Sequence, residues 1–274
     1  MRIDILITGQ FPANATSKQL SECLYRMHHH FYDHPKYDVT FRYHTWDRSS
    51  MKTLLDSSIY LLKDAADNVV YTPMPKAYNP YKSIPRFVDT PAWSEQLKKH
   101  EKVMRGIDES PQPGHITRAL QQVSTCELIK TIDTPPDLYI RLRWDGMLSY
   151  AINFDKYIEA TYKNKVVTGF LIDHAPEDRH WDTRKKLETG VYHIEESKST
   201  NPKWHQRVFD GMIMFEPRLF NTSVVDHWWK TESLLAAEWG WWQILCYAND
   251  NIDHVNINGG LGIMRHMEGN RHVR

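Results

Sequence analysis

Asp137-Leu138-Tyr139-Ile140-Arg141-Leu142-Arg143-Trp144-Asp145-Gly146 is the stretch on which the reading of this chain turns. Leu138, Ile140 and Leu142 alternate with Tyr139, Arg141 and Arg143 at a period of two, which predicts a strand with one apolar face. That register sets Arg141, Arg143 and Asp145 on the other face, with the carboxylate where the strand ends at Gly146. Two guanidiniums and a carboxylate at the mouth of a half-buried strand suit a diphosphate and its divalent metal. The same groups also suit a plain Arg–Asp ion pair on a solvated sheet face. The stretch alone does not separate the two.

Working outward, Ile116, Ala119, Leu120, Val123 and Cys126 form a helical stripe that leads directly into this strand. At the front of the chain, Arg2 to Thr8 is a short, largely apolar run ending at Gly9-Gln10, the pattern of a buried first strand. Ser17 is positioned to cap a helix whose stripe is Leu20, Cys23, Leu24, Met27 and Phe31, stopping before Pro35. Val39, Phe41 and Tyr43 then alternate with Thr40, Arg42 and His44 in a second strand ending in Thr45-Trp46-Asp47. A helix from Met51 to Ala65 and a short strand at Val69-Val70-Tyr71 follow. Strand–helix–strand–helix–strand at this spacing predicts a mostly parallel sheet with right-handed crossovers. Ligands on such sheets bind beyond the carboxyl ends of the strands, where Gly9-Gln10, Trp46-Asp47 and Asp145 would lie.

Pro73, Pro75, Pro80, Pro85 and Pro91 punctuate a Tyr- and Lys-rich segment from Thr72 to Thr90, read as a long loop over the sheet edge. Val166–Ile172 reads as a strand, and a polar stretch rich in His, Arg, Lys and Trp runs from Asp173 to Arg207. Val208–Phe215 is another apolar strand with a single buried acid, Asp210, near its start. Pro217 is placed to open a helix carrying Val224, Val225, Trp228 and Trp229. Glu238-Trp239-Gly240-Trp241-Trp242 begins the last helix, and Gly259, Gly260 and Gly262 mark a turn before a final strand around Ile263.

The 274 residues suit one large α/β domain, and 41% apolar residues are enough for a sizeable core. Zero formal charge gives no global pull toward nucleic acid or an anionic membrane. Ten Trp, 14 Tyr and nine Phe exceed what a core needs, and such an excess lines sites for sugars or bases when it is not simply core. Cys23, Cys126 and Cys246 are odd in number and lack metal-ligand spacing, which reads as reduced thiols. The acid within Met1-Arg2-Ile3-Asp4-Ile5-Leu6-Ile7 argues against a signal peptide, and no apolar run approaches a membrane span. A cytoplasmic protein without a transmembrane segment is the expectation.

Taken together, Thr8-Gly9-Gln10, then His44-Thr45-Trp46-Asp47, then a helix leading into Arg141-Leu142-Arg143-Trp144-Asp145 resemble GT-A-type glycosyltransferases. The resemblance is to those of bacterial capsule and lipopolysaccharide synthesis and of viral (phage) genomes. Phe209-Asp210-Gly211-Met212-Ile213 and Ala237-Glu238-Trp239 resemble that group's later acidic landmarks, in the right order. The resemblance implies a GT-A-like α/β fold with a mostly parallel central sheet flanked by helices. It would be a single domain over 1–274, with a Rossmann-like nucleotide-sugar half at 1–150 and an acceptor half at 151–274. It implies transfer of a sugar from a nucleotide-diphosphate sugar, a UDP-sugar foremost, to an acceptor hydroxyl.

Residue by residue, the resemblance gives Thr8, Gly9 and Gln10 to the turn that meets the nucleotide, and Thr45, Trp46 and Asp47 to the base and ribose. Asp145 matches the last acid of the metal-binding Asp-x-Asp, with Mn²⁺ or Mg²⁺ as the implied ion. The position two before it is Arg143, and a lone carboxylate is a poor site for such an ion. Arg141 and Arg143 would then stabilise the leaving diphosphate directly. Glu238 matches an acid near the acceptor and is the candidate base, with Asp210 second. For both, a structural carboxylate is the competing reading: a first-turn acid for Glu238, and an acid satisfied by backbone donors for Asp210.

Trp239, Trp241 and Trp242 are candidates for an acceptor platform, with core packing the competing role. His266 lies where many GT-A enzymes supply a last metal ligand, and His272 is near it. His30 and His34 are spaced i, i+4 but lack the Glu of a metalloprotease pattern. Basic stretches containing Trp181 and Trp204, and the C-terminal Arg265–Arg274, interleave cations with aromatics or histidines. Such patches track a phosphate backbone while rings stack on bases. The acceptor is therefore read as a glycan or, in a phage, a hydroxymethylated DNA base, which would have to leave the stack. A non-catalytic sugar- or nucleic-acid-binding protein on a decayed transferase fold is the alternative, prompted by the missing first Asp.

Overall fold

The computed structural model describes residues 1–9, 11–12, 15–46, 52–76, 119–150, 152–171, 208–235, 237–250, 252–258 and 261–263. In chain order these form β1 (Arg2–Thr8), α1 (Ser17–Phe31), β2 (Asp38–Trp46), α2 (Lys52–Leu55), α3 (Tyr60–Asp67), β3 (Val69–Thr72), α4 (Leu120–Ile129) and β4 (Leu138–Arg143). There follow β5 (Gly146–Leu148), α5 (Phe154–Asn164), β6 (Val167–Leu171), β7 (Met212–Phe215), α6 (Thr222–Lys230), α7 (Ala237–Leu245), β8 (His254–Asn258) and β9 (Leu261–Ile263).

Seven strands make one sheet in the order β3-β2-β1-β4-β7-β6-β8. β1 pairs in parallel with β2 and with β4, and β2 with β3. β7 runs antiparallel to both β4 and β6, and β6 pairs in parallel with β8. The first four strands thus carry the 3-2-1-4 order of a Rossmann-like half, whose direction of winding reverses between β1 and β4. β5 and β9 form a separate two-stranded ribbon in which Gly146 faces Ile263, directly after Asp145.

The period-two pattern feeds two cores, one on each side of the sheet. Ile3, Ile5, Ile7, Leu138, Ile140 and Leu142 pack against Leu20, Cys23, Leu24, Met27 and Phe31 of α1. Each such fully buried side chain contributes roughly 1.5–3 kcal/mol. On the opposite side Leu6, Tyr139, Ile213 and Phe215 meet Leu120, Val123 and Cys126 of α4, Val225 of α6 and Trp241 of α7. The face of β4 expected to be half-solvated is therefore covered by helices, and Arg141 is 0% exposed. A parallel central strand between two helical layers leaves no solvated face.

Three local expectations are corrected. Thr16, not Ser17, caps α1: its hydroxyl accepts from the Gln19 amide while the Gln19 side chain accepts from the Thr16 amide, a complete capping box. The expected helix from Met51 to Ala65 is two helices, because the Ser57 hydroxyl takes the Ile59 amide and restarts the turn. Pro217 opens only a 3₁₀ turn, and Asn221 caps α6 through the amides of Ser223 and Val224. Among the described residues, no helix is long and apolar enough to cross a membrane.

Candidate functional site

Thr8, Trp46, Thr72 and Arg143 end four neighbouring parallel strands on one edge of the sheet, since Thr8 pairs with Arg143 and Trp46 with Thr72. Thr8, His44, Thr45, Ser124, Thr125 and Arg141, all buried, gather along this edge. Arg141 is the centre. Its Nε donates to Thr8 Oγ1 (3.1 Å), its Nη1 to the Asp210 carbonyl (2.7 Å) and its Nη2 to Gln121 Oε1 (2.8 Å). Its guanidinium carbon lies 5.2 Å from the Trp241 ring centroid, a cation–π contact inside the core. Burial pulls Arg141 down to about 9, opposed by the Asp210 charge, so it remains cationic at neutral pH. Arg141 thus ties β1, α4, the β7 approach and α7 together rather than facing an open surface.

The turn after β1 is shaped by Gly9, whose φ of 110° strains any residue with a Cβ. Its amide donates to Ser124 Oγ (2.7 Å) and its carbonyl accepts from Thr45 Oγ1 (3.2 Å). Ser124 Oγ is also 2.6 Å from His44 Nδ1, and His44 Nε2 is 2.8 Å from Thr72 Oγ1. Burial pulls His44 from its ordinary 6.5 down to about 4, so the ring is neutral. Thr8 Oγ1 and Thr125 Oγ1 are 2.8 Å apart, and Thr125 donates to the Gln121 carbonyl.

At the end of β4, Arg143 grips Asp145 with two parallel hydrogen bonds: Nε to Oδ1 at 2.8 Å and Nη2 to Oδ2 at 3.0 Å. The Arg143 side chain is 18% exposed and that of Asp145 only 6%. Burial works to lower Arg143, but the charge and hydrogen bonds of Asp145, with the Asp210 charge, raise it above its ordinary value. Asp210 was expected to be buried. It is half-buried, bridging Phe170 just ahead of β7, with its carbonyl on Arg141.

Glu238 lies in the first turn of α7, and its carbonyl accepts from the Val208 amide two residues before Asp210. The backbone therefore brings both acids toward the side of the sheet where Arg141 and Trp241 meet. Glu238 and Trp239 are half-buried, while Trp241 and Trp242 belong to the core. Trp46 is also buried, at the end of β2. Gln10, Asp47, Trp181, Trp204 and His266 lie outside the described residues, as do the Pro-rich segment beyond Lys76, the stretch from Asp173 to Arg207, and the basic C-terminus.

A divalent ion does not fit at Asp145 in this arrangement, because both carboxylate oxygens are engaged by Arg143. Among the described residues, only Cys126, Glu127 and Asp226 cluster in the manner of metal ligands. Lys130 already bridges the two carboxylates there, at 2.7 and 2.9 Å, so the group is an ion-pair cluster between α4 and α6. The three cysteines are free and buried, and burial pushes the Cys23 and Cys126 thiols up to about 12.

Reading the sequence by apolar periodicity passed over Gln121, Ser124 and Thr125, which carry the inner hydrogen bonds of this edge. In α4 every side shown as buried includes polar residues, with Gln122, Ser124 and Thr125 all buried, so the helix has no solvent face to set them apart. The available signal is a cluster of polar residues, Gln121-Gln122 and Ser124-Thr125 around Val123, inside a helix that leads into a charged strand.

The topology and this edge together define a mixed, mostly parallel α/β architecture: a 3-2-1-4 nucleotide-type half joined through an antiparallel strand to a second half. Similar chain courses occur in two structures of LgtC, an active-site mutant (TM-score 0.36, 10% identity) and the galactosyltransferase in complex with donor and acceptor sugar analogs (0.35, 9%). These matches cover 93% of this chain and 72% and 73% of those. The apo form of mouse xyloside xylosyltransferase 1 is similar at TM-score 0.37 and 12% identity, over 93% of this chain and 85% of that one. No family model matches the chain, and no curated protein matches its sequence.

Proposed function

We propose that this chain is a glycosyltransferase of the GT-A type, moving a sugar from a nucleotide-diphosphate sugar, a UDP-sugar foremost, to an acceptor hydroxyl. The observation that carries the reading is the pairing of Thr8 with Arg143 at the switch point between β1 and β4. It sets the Gly9 turn and the Arg143–Asp145 pair on either side of the crevice where open α/β sheets take their ligands.

Each residue then has a task. Gly9, lacking a Cβ, lets the nucleotide approach the β1 turn, and the resemblance gives Thr8 and Gln10 to that turn and Thr45, Trp46 and Asp47 to base and ribose. Arg143 keeps an exposed edge and is the guanidinium able to take the donor diphosphate bidentately. Asp145 then holds sugar hydroxyls as Arg143 turns. Arg141 supports from below, its positive field stabilising the departing nucleoside diphosphate. Glu238, or failing it Asp210, takes the acceptor proton as the glycosidic bond forms. Trp239, half-buried, would flank the acceptor, while Trp242 stays in the core. No step runs through a divalent ion. A glycan acceptor is favoured over DNA by the resemblance that the sequence motifs carry.

The test is a thermal-shift screen against UDP-, GDP- and CMP-sugars with excess EDTA. Ligand at a hundred times its Kd adds about 2.7 kcal/mol of stability. A rise in Tm with one nucleotide sugar is expected, and no rise with any of them overturns the reading. Binding without release of the nucleoside diphosphate in any acceptor mixture would instead favour the non-catalytic alternative, to which the engaged Asp145 carboxylate lends its weight.

A further inference from the structure

The hydrogen bonds around Gly9 have a direction that can be worked out atom by atom. The Gly9 amide has only a proton to give, so Ser124 Oγ accepts it at 2.7 Å. Ser124 keeps its own proton to give, and sending it to His44 Nδ1 at 2.6 Å makes that the unprotonated nitrogen. The ring proton is left on Nε2 and goes to Thr72 Oγ1 at 2.8 Å. The chain Gly9 N–H to Ser124 O–H to His44 Nδ1, and His44 Nε2–H to Thr72, spans β1, α4, β2 and β3 on the edge where the crevice opens. A second directed chain fixes the neighbouring residue. Arg141 Nε–H gives to Thr8, Thr8 to Thr125, and Thr125 to the Gln121 carbonyl.

We propose that His44 is a positioning residue for donor binding: its Nδ1 lone pair orients the Ser124 hydroxyl, and that hydroxyl holds the Gly9 turn open to the nucleotide. This rests on the donor reading of Gly9 given above. His44 touches no ligand itself. With the ring 0% exposed, no water replaces the nitrogen when it is removed. Without it the Ser124 proton loses its acceptor, and the hydroxyl is free to turn its own proton toward Gly9 and repel the amide.

Asn at position 44 sets a carbonyl oxygen near the place of Nδ1, whereas Leu removes the acceptor and keeps the bulk. In His44→Leu the Kd for the UDP-sugar, and its KM, should rise on the order of tenfold to a hundredfold while kcat changes little. His44→Asn should stay within about threefold of the parent, since the acceptor is retained. Amide exchange at Gly9 should quicken in His44→Leu and not in His44→Asn, and nitrogen NMR of the parent should find Nδ1 without a proton. Should His44→Leu fail to fold, Ser124→Ala makes the same break from the α4 side. A proton on Nδ1, or donor affinity unchanged in the variant that removes the link, overturns the proposal. If the parent binds no nucleotide sugar, the donor reading falls by itself. Gly9 exchange then still decides whether His44 governs the turn.

Discussion

Arg143 holds both oxygens of Asp145, two residues on, at 2.8 and 3.0 Å. The strand end thus carries an ion pair and not an open carboxylate. Arg141, two residues earlier, is spoken for by Thr8, Gln121 and the Asp210 carbonyl. The two guanidiniums therefore differ in freedom. Arg141 is locked, while Arg143 keeps an exposed edge and a single carboxylate partner that an incoming diphosphate can displace.

Removing either member should strand the other. Asp145→Asn and Arg143→Met are each expected to lower stability by about 1–3 kcal/mol, because a mostly buried charge loses its partner. The double replacement Arg143→Met with Asp145→Leu should regain part of that loss. All three should abolish sugar transfer. Urea unfolding beside a transfer assay separates the effects. Transfer retained in Asp145→Asn would remove Asp145 from the mechanism.

The same pair bears on the metal. Donor affinity should be equal, within about twofold, in EDTA and in millimolar Mn²⁺, because the cation's role falls to guanidinium groups of like charge sign. Calorimetric titration with a UDP-sugar checks it. A strictly Mn²⁺-dependent Kd would mean that Asp145 leaves Arg143 for the ion.

Gly240 stands inside α7, where glycine costs about 1 kcal/mol against alanine. Its place follows from crowding. A Cβ there would sit 2.2 Å from the Leu235 carbonyl oxygen and 2.6 Å from Gln122 Nε2. Gly240→Ala must push α7 away from α4, and with it Trp241 from the face of Arg141. We expect a loss of about 3 kcal/mol or more, beyond ordinary overpacking because a backbone oxygen stands in the way. Quenched stacking on Arg141 should also change the near-ultraviolet circular dichroism of Trp241. A Tm within two degrees of the parent, about 0.5–1 kcal/mol, would contradict the packing.

The strands and the apolar stripe of α1 were legible because period two and period 3.6 leave a mark wherever one side is core. The parallel pairing of β1, β2 and β3 followed from their spacing, whereas the place of β4 beside β1 did not. What periodicity could not reveal was that β4 is covered on both sides, so that Arg141 sits in the core. Nor could it find the partners of Arg141 and Gly9. Gln121, Ser124 and Thr125 are satisfied by residues far off in sequence, and an apolar stripe reads them as its polar flank. Caps were the weakest local signal, because Thr16 and Ser17 compete for one role and only the Gln19 side chain decides it. Ser57 and Asn221 likewise divert chain ends through single side-chain hydrogen bonds.

His44 makes the acid side of the stability curve informative. Its folded value, about 4, lies below the 6.5 of an unperturbed ring, and burial is the cause. For a base held neutral in the fold, the stabilisation is complete above the unfolded value and is lost as pH falls toward the folded one. The unfolded chain takes up the proton first, and each pKa unit is worth about 1.4 kcal/mol, so His44 accounts for roughly 3 kcal/mol between pH 6.5 and 4. His30, only half-buried, is also drawn down to about 4 by burial and adds to the same window. His44→Asn removes one of these titrations while keeping the acceptor for Ser124. Its unfolding free energy in urea should therefore fall less steeply than the parent's from pH 6.5 to 4.5. Parallel curves for the two proteins would mean that burial does not hold the His44 ring neutral in the fold.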